Sequence, residues 1–323
     1  MRIQMILRLI SLLTGLVLVT LASAAHAAET PIYGGPIGGT DIGAAYLPPQ
    51  PGLYMGAGYI GITSEDYRDL NGDKVPFDTD FDASAAVVGL NYVYDAKLFG
   101  GSIATSAQIG YGRRCIRFGE RNCNSGTADI YSDLFFWSKY LGGGVAGSAG
   151  LAPLPYGLTI GGGLGITMPT GRYDMQEPVN TGGNTWIVSP NIAASYLTGP
   201  EFSLGGDGTE LSARLYYSMP QKNTDTDFDA GTVVNLDWAI TERYGNWQVG
   251  FAGQQAKQID GDKLPDGTRT NDSKFSSGSV GPVVSVFLPS LGSQLKVKAA
   301  ANYDAENTFS GYSLVMVMGW KVF

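Results

Sequence analysis

Paired carboxylates, thiols and imidazoles are the side chains that most often do chemistry, and this chain offers few of them at workable spacing. Asp129 and Asp133 stand four residues apart, which in an extended segment puts both on one face, where two carboxylates could act as acid and base. The only histidine is His26, in a leader expected to be removed, so no imidazole would remain to activate a serine or a water. Carboxylates on a wet face more often pair with Lys or Arg. We therefore read Asp129 and Asp133 as lining residues and expect a protein that is not an enzyme and needs no cofactor. No nucleotide-binding loop is present to couple work to ATP.

Cys115 and Cys123 are the two cysteines. In a secreted chain they are expected to pair as a disulfide, since nothing near them could complete a metal site. Alternate carboxylates recur at Asp69/Asn71/Asp73, Asp78/Asp80/Asp82 and Asp225/Asp227/Asp229. Such spacing can bind a divalent cation, but Lys74 stands where a calcium loop of this kind needs glycine. A solvated acidic rim is the expected reading, with no metal. A further set of charges, Lys139, Glu210, Arg214, Asp237, Lys296, Lys298 and Asp304, together with Asn235, sits inside segments of strict alternation.

Those segments are the elements that must position them. In 156–168 the even positions are Tyr156, Leu158, Ile160, Leu164, Ile166 and Met168 around Gly162, while the odd ones are Gly or Thr. In 295–304, Leu295, Val297 and Tyr303 oppose Lys296, Lys298 and Asp304. Period two with one evenly apolar side marks strands that face lipid on one side and water on the other. Charged residues are only 15% of the chain and glycine 46 of 323, far from the ordinary soluble composition. Strands are expected near 51–63, 82–96, 102–113, 127–141, 154–168, 185–198, 208–219, 230–243, 246–258, 275–288, 294–304 and 309–323.

This pattern predicts an all-β protein, a transmembrane antiparallel up-and-down β-barrel of about 12 strands, with 14 as the alternative if 28–50 or a long loop adds a hairpin. Long polar links 64–81, 114–126, 169–184, 220–229 and 259–274 alternate with short ones, as extracellular loops alternate with periplasmic turns. Tyr92, Tyr111, Tyr140, Trp186, Trp247 and Trp320 fall near segment ends, where aromatic girdles sit. Residues 1–27 read as a signal peptide: Arg2 and Arg8, an apolar stretch, then Ala25-His26-Ala27. Its removal leaves 19 basic against 29 acidic residues, which argues against nucleic acid as a partner. Residues 28–50 form an N-terminal segment without alternation. It is either a lumen plug or a periplasmic tail, and Ile32, Tyr33, Ile42, Tyr46 and Leu47 favour partial insertion. The barrel itself is expected over 51–323.

Pro49 to Tyr54, Gly126-Thr127-Ala128-Asp129, Met168 to Asp174 (MPTGRYD), Asn180 to Trp186 (NTGGNTW), Ala230-Gly231 and Gly281-Pro282 occur in that order. With them the chain resembles a family of outer-membrane transporters named for the meta pathway of phenol degradation, which includes SphA-like proteins. The resemblance implies a barrel in the outer membrane of a Gram-negative bacterium that moves hydrophobic or aromatic compounds. The expected function is thus a channel for passive uptake of small apolar or aromatic solutes, with the glycine side of 154–168 as a smooth wall. The alternative is an occluded structural or envelope-interaction barrel whose loops bind lipopolysaccharide or a partner. Either way the partners expected are outer-membrane lipid and lipopolysaccharide, the barrel-assembly machinery during biogenesis and, for the channel, a small solute.

Overall fold

The alternating segments form strands because lipid can accept apolar side chains but no bare backbone polar groups, so every N–H and C=O must be paired with a neighbouring strand. A computed structural model describes residues 34–36, 38–149, 154–263, 266–270 and 274–323. The expected signal peptide, with Ile32 and Tyr33, lies outside the described residues. The strands are β1 (Gly52–Arg68), β2 (Thr79–Leu98), β3 (Gly101–Phe118), β4 (Glu120–Thr127), β5 (Ile130–Ala149), β6 (Leu154–Met168), β7 (Ile187–Leu197) and β8 (Gly208–Pro220). They continue with β9 (Val233–Tyr244), β10 (Trp247–Gln258), the short β11 (Asp262–Lys263) and β12 (Arg269–Thr270), β13 (Ser276–Leu288), β14 (Ser293–Glu306) and β15 (Thr308–Lys321).

Among the described residues, twelve of these close into one antiparallel barrel, each strand beside its sequence neighbour. Closure is made by β15 on β1, from Tyr54↔Lys321 to Arg68↔Thr308. β4 folds back on β3 alone and stands outside the ring. The twelve-strand expectation holds. The outward parity carries Tyr59, Val88, Ile109, Leu211, Phe251 and Leu314, all exposed, as a lipid-facing wall should be.

Two expectations change. Links 64–81 and 114–126 read as loops, yet β1 runs to Arg68, β2 begins at Thr79, and 114–127 is a hairpin extending β3 into β4, turning at Gly119 with φ +82. Above the hydrocarbon band the outer face need not be apolar. The period-two signal therefore vanishes there while the backbone ladder continues. Bulges are the second change. One between Asp133 and Phe135 inserts a residue into β5, and a one-residue slip moves every later side chain to the other face. Lys139, expected inside, therefore falls on the outward parity and reaches the Phe99 carbonyl at 2.9 Å, while Phe136 and Ser138 turn inward and are buried. A bulge between Gly278 and Ser279 on the β13–β14 ladder likewise takes Asp304 off the inward face. It accepts from Gln255 at 2.7 Å, beside the exposed Tyr303.

Candidate functional site

The site is the barrel interior, built from inward positions and from residues 34–47. Glycine makes that segment able to aim its backbone. Gly38 and Gly43 hold φ of +68 and +64, conformations that cost little only without a Cβ. The Gly38 and Thr40 amides donate to Asp237 at 3.0 and 3.1 Å, and the Thr40 hydroxyl at 2.7 Å. The Gly43 amide donates to Glu210 at 2.7 Å, whose other oxygen takes Arg243 at 2.5 Å. The Ala45 amide donates to Ser195 at 3.1 Å, and the Ala45 carbonyl accepts from Ser138 at 2.5 Å. Asp41, fully buried, sits between Lys296 at 2.8 Å and Lys298 at 2.6 Å.

Those partners come from β5, β7, β8, β9 and β14, and all project on the inward parity, so the segment spans the lumen across the arc from β5 to β14. Apolar contacts complete the seal. Ala44 and Ala45 pack on Phe136 and Ala193, and Ile42 on Ala239, Ala252 and Val283. Beneath lies a charged cluster: Arg214 donates to Asp133 at 2.7 Å and to Asn191 at 2.9 and 3.1 Å. Its guanidinium stands 4.3 Å from the Phe136 ring centroid and 4.8 Å from that of Tyr216, a stacking that suits arginine. Tyr131 donates to Asp133 at 2.8 Å. Phe136 and Tyr131 lie where a Cβ on Gly161, Gly163 or Gly165 would fall, so the glycine side of β6 is a bed for these rings and not the smooth wall expected of it.

The opposite wall is different in kind. On β15, β1 and β2 the inward parity carries Val315, Val317, Ile60, Ile62, Ala85 and Val87, and Ile62 is 39% exposed. The polar anchors of the 34–47 segment lie on other strands, and on this wall Val315 is buried while Ile62 stays exposed. At the top of the same wall stand five aromatic rings. Tyr67 meets Phe118 and Phe309 edge-on at 5.2 Å, Phe81 stacks on Phe309 at 5.4 Å, and Phe77 lies 6.4 Å from Phe118. Phe77 and Phe118 are exposed. Sequence reasoning missed this cluster because Tyr67, Phe77, Phe81 and Phe118 fall in stretches read as polar loops, and Phe309 opens the expected strand 309–323. The one available signal was the inward parity of Phe81, continuous with Ala83, Ala85 and Val87.

The expected lining residues divide into three groups. Asp133, Arg214, Asn235, Asp237, Lys296 and Lys298 face inward and are drawn together by the segment or by one another; Asn235 donates to Asp237 at 3.1 Å. Lys139 faces outward. Asp129 stands at the extracellular end, accepting the Gly171 and Gly183 amides at 2.8 and 2.7 Å, where it ties MPTGRYD to NTGGNTW. It forms no acid–base pair with Asp133. Asn180 accepts from the Asp174 amide at 2.9 Å, so these motifs build a loop clasp. Cys115 and Cys123 are bonded as a directly opposed pair of the β3–β4 hairpin.

The family described as "Putative MetA-pathway of phenol degradation" matches residues 64–317. Among solved structures, an outer membrane channel from Pseudomonas putida F1 is similar with a TM-score of 0.71 at 15% identity, covering 88% of this chain and 99% of that one. The β domain of the Bordetella autotransporter BrkA is similar with a TM-score of 0.51 at 12% identity, covering 84% and 100%. At these identities the likeness concerns the fold. No curated protein matches this chain.

Proposed function

The chain belongs to the phenol-degradation MetA-pathway family of outer-membrane barrels, and from that premise we propose that it is a channel for passive uptake of small hydrophobic or aromatic compounds. The observation that carries this reading is the pairing of an aromatic mouth with an apolar inner wall. Phe77, Phe81 and Phe118 offer ring faces to a solute leaving water, and Ile62, Ile60, Val87 and Val317 continue the apolar surface inward, away from the polar anchors of the 34–47 segment. The segment acts as a plug on the polar wall. A twelve-strand barrel has a lumen between the filled interior of eight strands and the open pore of sixteen, so with the 34–47 segment seated in it the remaining path suits a single ring or alkyl chain. An aqueous porin would instead line its path with exposed charge.

The test compares uptake of phenol-like and alkyl compounds by cells with and without the protein, and sugar-driven swelling of liposomes that contain it. Faster entry of apolar compounds with slow sugar entry is expected. Equal uptake in both strains would reject the channel, and rapid sugar entry would mark a general porin. The second reading, an occluded structural barrel, draws on the Asp41 bonds to Lys296 and Lys298, and it predicts equal uptake with no swelling.

A further inference from the structure

We propose that the outer wall of β15, β1, β2 and β3 carries a binding site for a phosphorylated glycolipid of the outer leaflet, the lipid A part of lipopolysaccharide. This does not rest on the channel reading. In register, Leu314, Gly61, Ser84 and Arg113 form one row across the four strands on the outward parity. The row above holds Tyr312, Thr63, Asp82 and Cys115, and the row below Met316, Tyr59, Ala86 and Tyr111. Two of the smallest residues thus lie between taller rows, and a groove of about 500 Å³ opens there. The Tyr59 ring leans over Gly61, where a Cβ would meet it at 3.1 Å.

The height of the groove fits a headgroup. Gly61 is nine residues past Gly52 at the periplasmic end of β1, and at about 3.3 Å per residue with a tilt of about 40° this is roughly 23 Å, near the top of an apolar band ~25 Å tall. The charges fit an anion. Arg117 holds Asp80 at 2.6 Å and Arg121 holds Asp80 at 3.0 Å and also Asp82, while the Thr63 hydroxyl donates to Asp82 at 2.8 Å. Both carboxylates are thereby matched by Arg117 and Arg121. Arg113, exposed, lines the groove, and no partner for it occurs among the described residues. An arginine at the hydrocarbon edge, above Tyr59 and beside Leu314, meets a phosphate above an acyl chain in the charge-assisted geometry guanidinium favours. The Cys115–Cys123 bond holds β4 and its Arg121 against this edge.

The experiment is native mass spectrometry of the full barrel in detergent, titrated with bisphosphorylated lipid A, with dephosphorylated lipid A and with inorganic phosphate. The wild type should prefer the phosphorylated lipid about tenfold, and Arg113→Gln should lose most of that preference. Because Arg113 holds no described contact, the variant should keep the folded mobility of the barrel on unheated gels. Arg113→Lys should recover part of the preference. Equal binding of the two lipids by the wild type, an unchanged preference in Arg113→Gln, or displacement of the lipid by millimolar phosphate would each overturn the proposal.

Discussion

Two walls of one barrel are built by the same alternation and end in opposite states. On β7 to β10 the inward residues include Glu210, Arg214, Asn235 and Asp237, all buried, because each needs partners and the 34–47 segment or a neighbour supplies them. On β15, β1 and β2 the inward residues include Val317, Ile60, Ile62, Ala85 and Val87, which ask for no polar partner and keep part of their surface uncovered. The comparison teaches that the polar residues of the interior decide where residues 34–47 seat, because only they need the partners that this segment supplies. An unpaired charge in a confined space costs far more than an uncovered isoleucine.

The largest expected effect comes from breaking the polar wall. Asp41→Ala leaves Lys296 and Lys298 unpaired, and removing one partner of a buried ion pair costs about 3–5 kcal/mol. Amide exchange over 38–46 should quicken by about a hundredfold or more, and sugar-driven swelling should rise; unchanged exchange would break the contrast between the walls. Arg214→Met, which strands Asp133 beneath the plug, should lower unfolding stability in detergent by about 3 kcal/mol, whereas Arg214→Met with Asp133→Leu should cost markedly less. A thermal melt series on the wild type and these two variants checks the difference.

The disulfide should matter less. Replacing Cys115 and Cys123 by serine frees an eight-residue loop and should destabilise by about 2–3 kcal/mol at most, confined to the β3–β4 hairpin, with barrel assembly intact on unheated gels. The change with the least effect on the barrel itself sharpens the apolar side. Phe118→Ala removes ring contacts to Tyr67, Phe309 and Phe77 worth about 0.5–1.5 kcal/mol each, but from an exposed ring at the mouth, so the loss of stability should stay local to the mouth and the barrel should remain folded. Uptake of aromatic solutes should nonetheless fall severalfold while that of sugars does not, a split measured in the same cells.

How far the sequence could be read follows from where each constraint comes from. Lipid imposes the outer wall, so strand count and the inward register of Lys296 and Lys298 were legible from alternation alone. The Asp133 bulge inserts one residue without any compositional mark, and for that reason Lys139 was assigned to the wrong face. The hairpin 114–127 rises beyond the membrane, where no solvent enforces a parity, and its ladder was invisible. Seating of 34–47 depends on partners such as Asp237 and Lys298, about 200 to 260 residues away, which no local period reports. One hint was available: Asp41 is the lone acid between Thr30 and Gln50.

That same Asp41 also sets a schedule. Its two lysines sit on β14, the last strand but one, so a segment made before any barrel strand cannot take its final place until nearly all of the rest has been laid down. The plug is early in synthesis and late in folding. A barrel caught with its seam still open would hold residues 34–47 loose and accessible to protease, and their protection in a pulse-chase digest would date the moment the ring is complete.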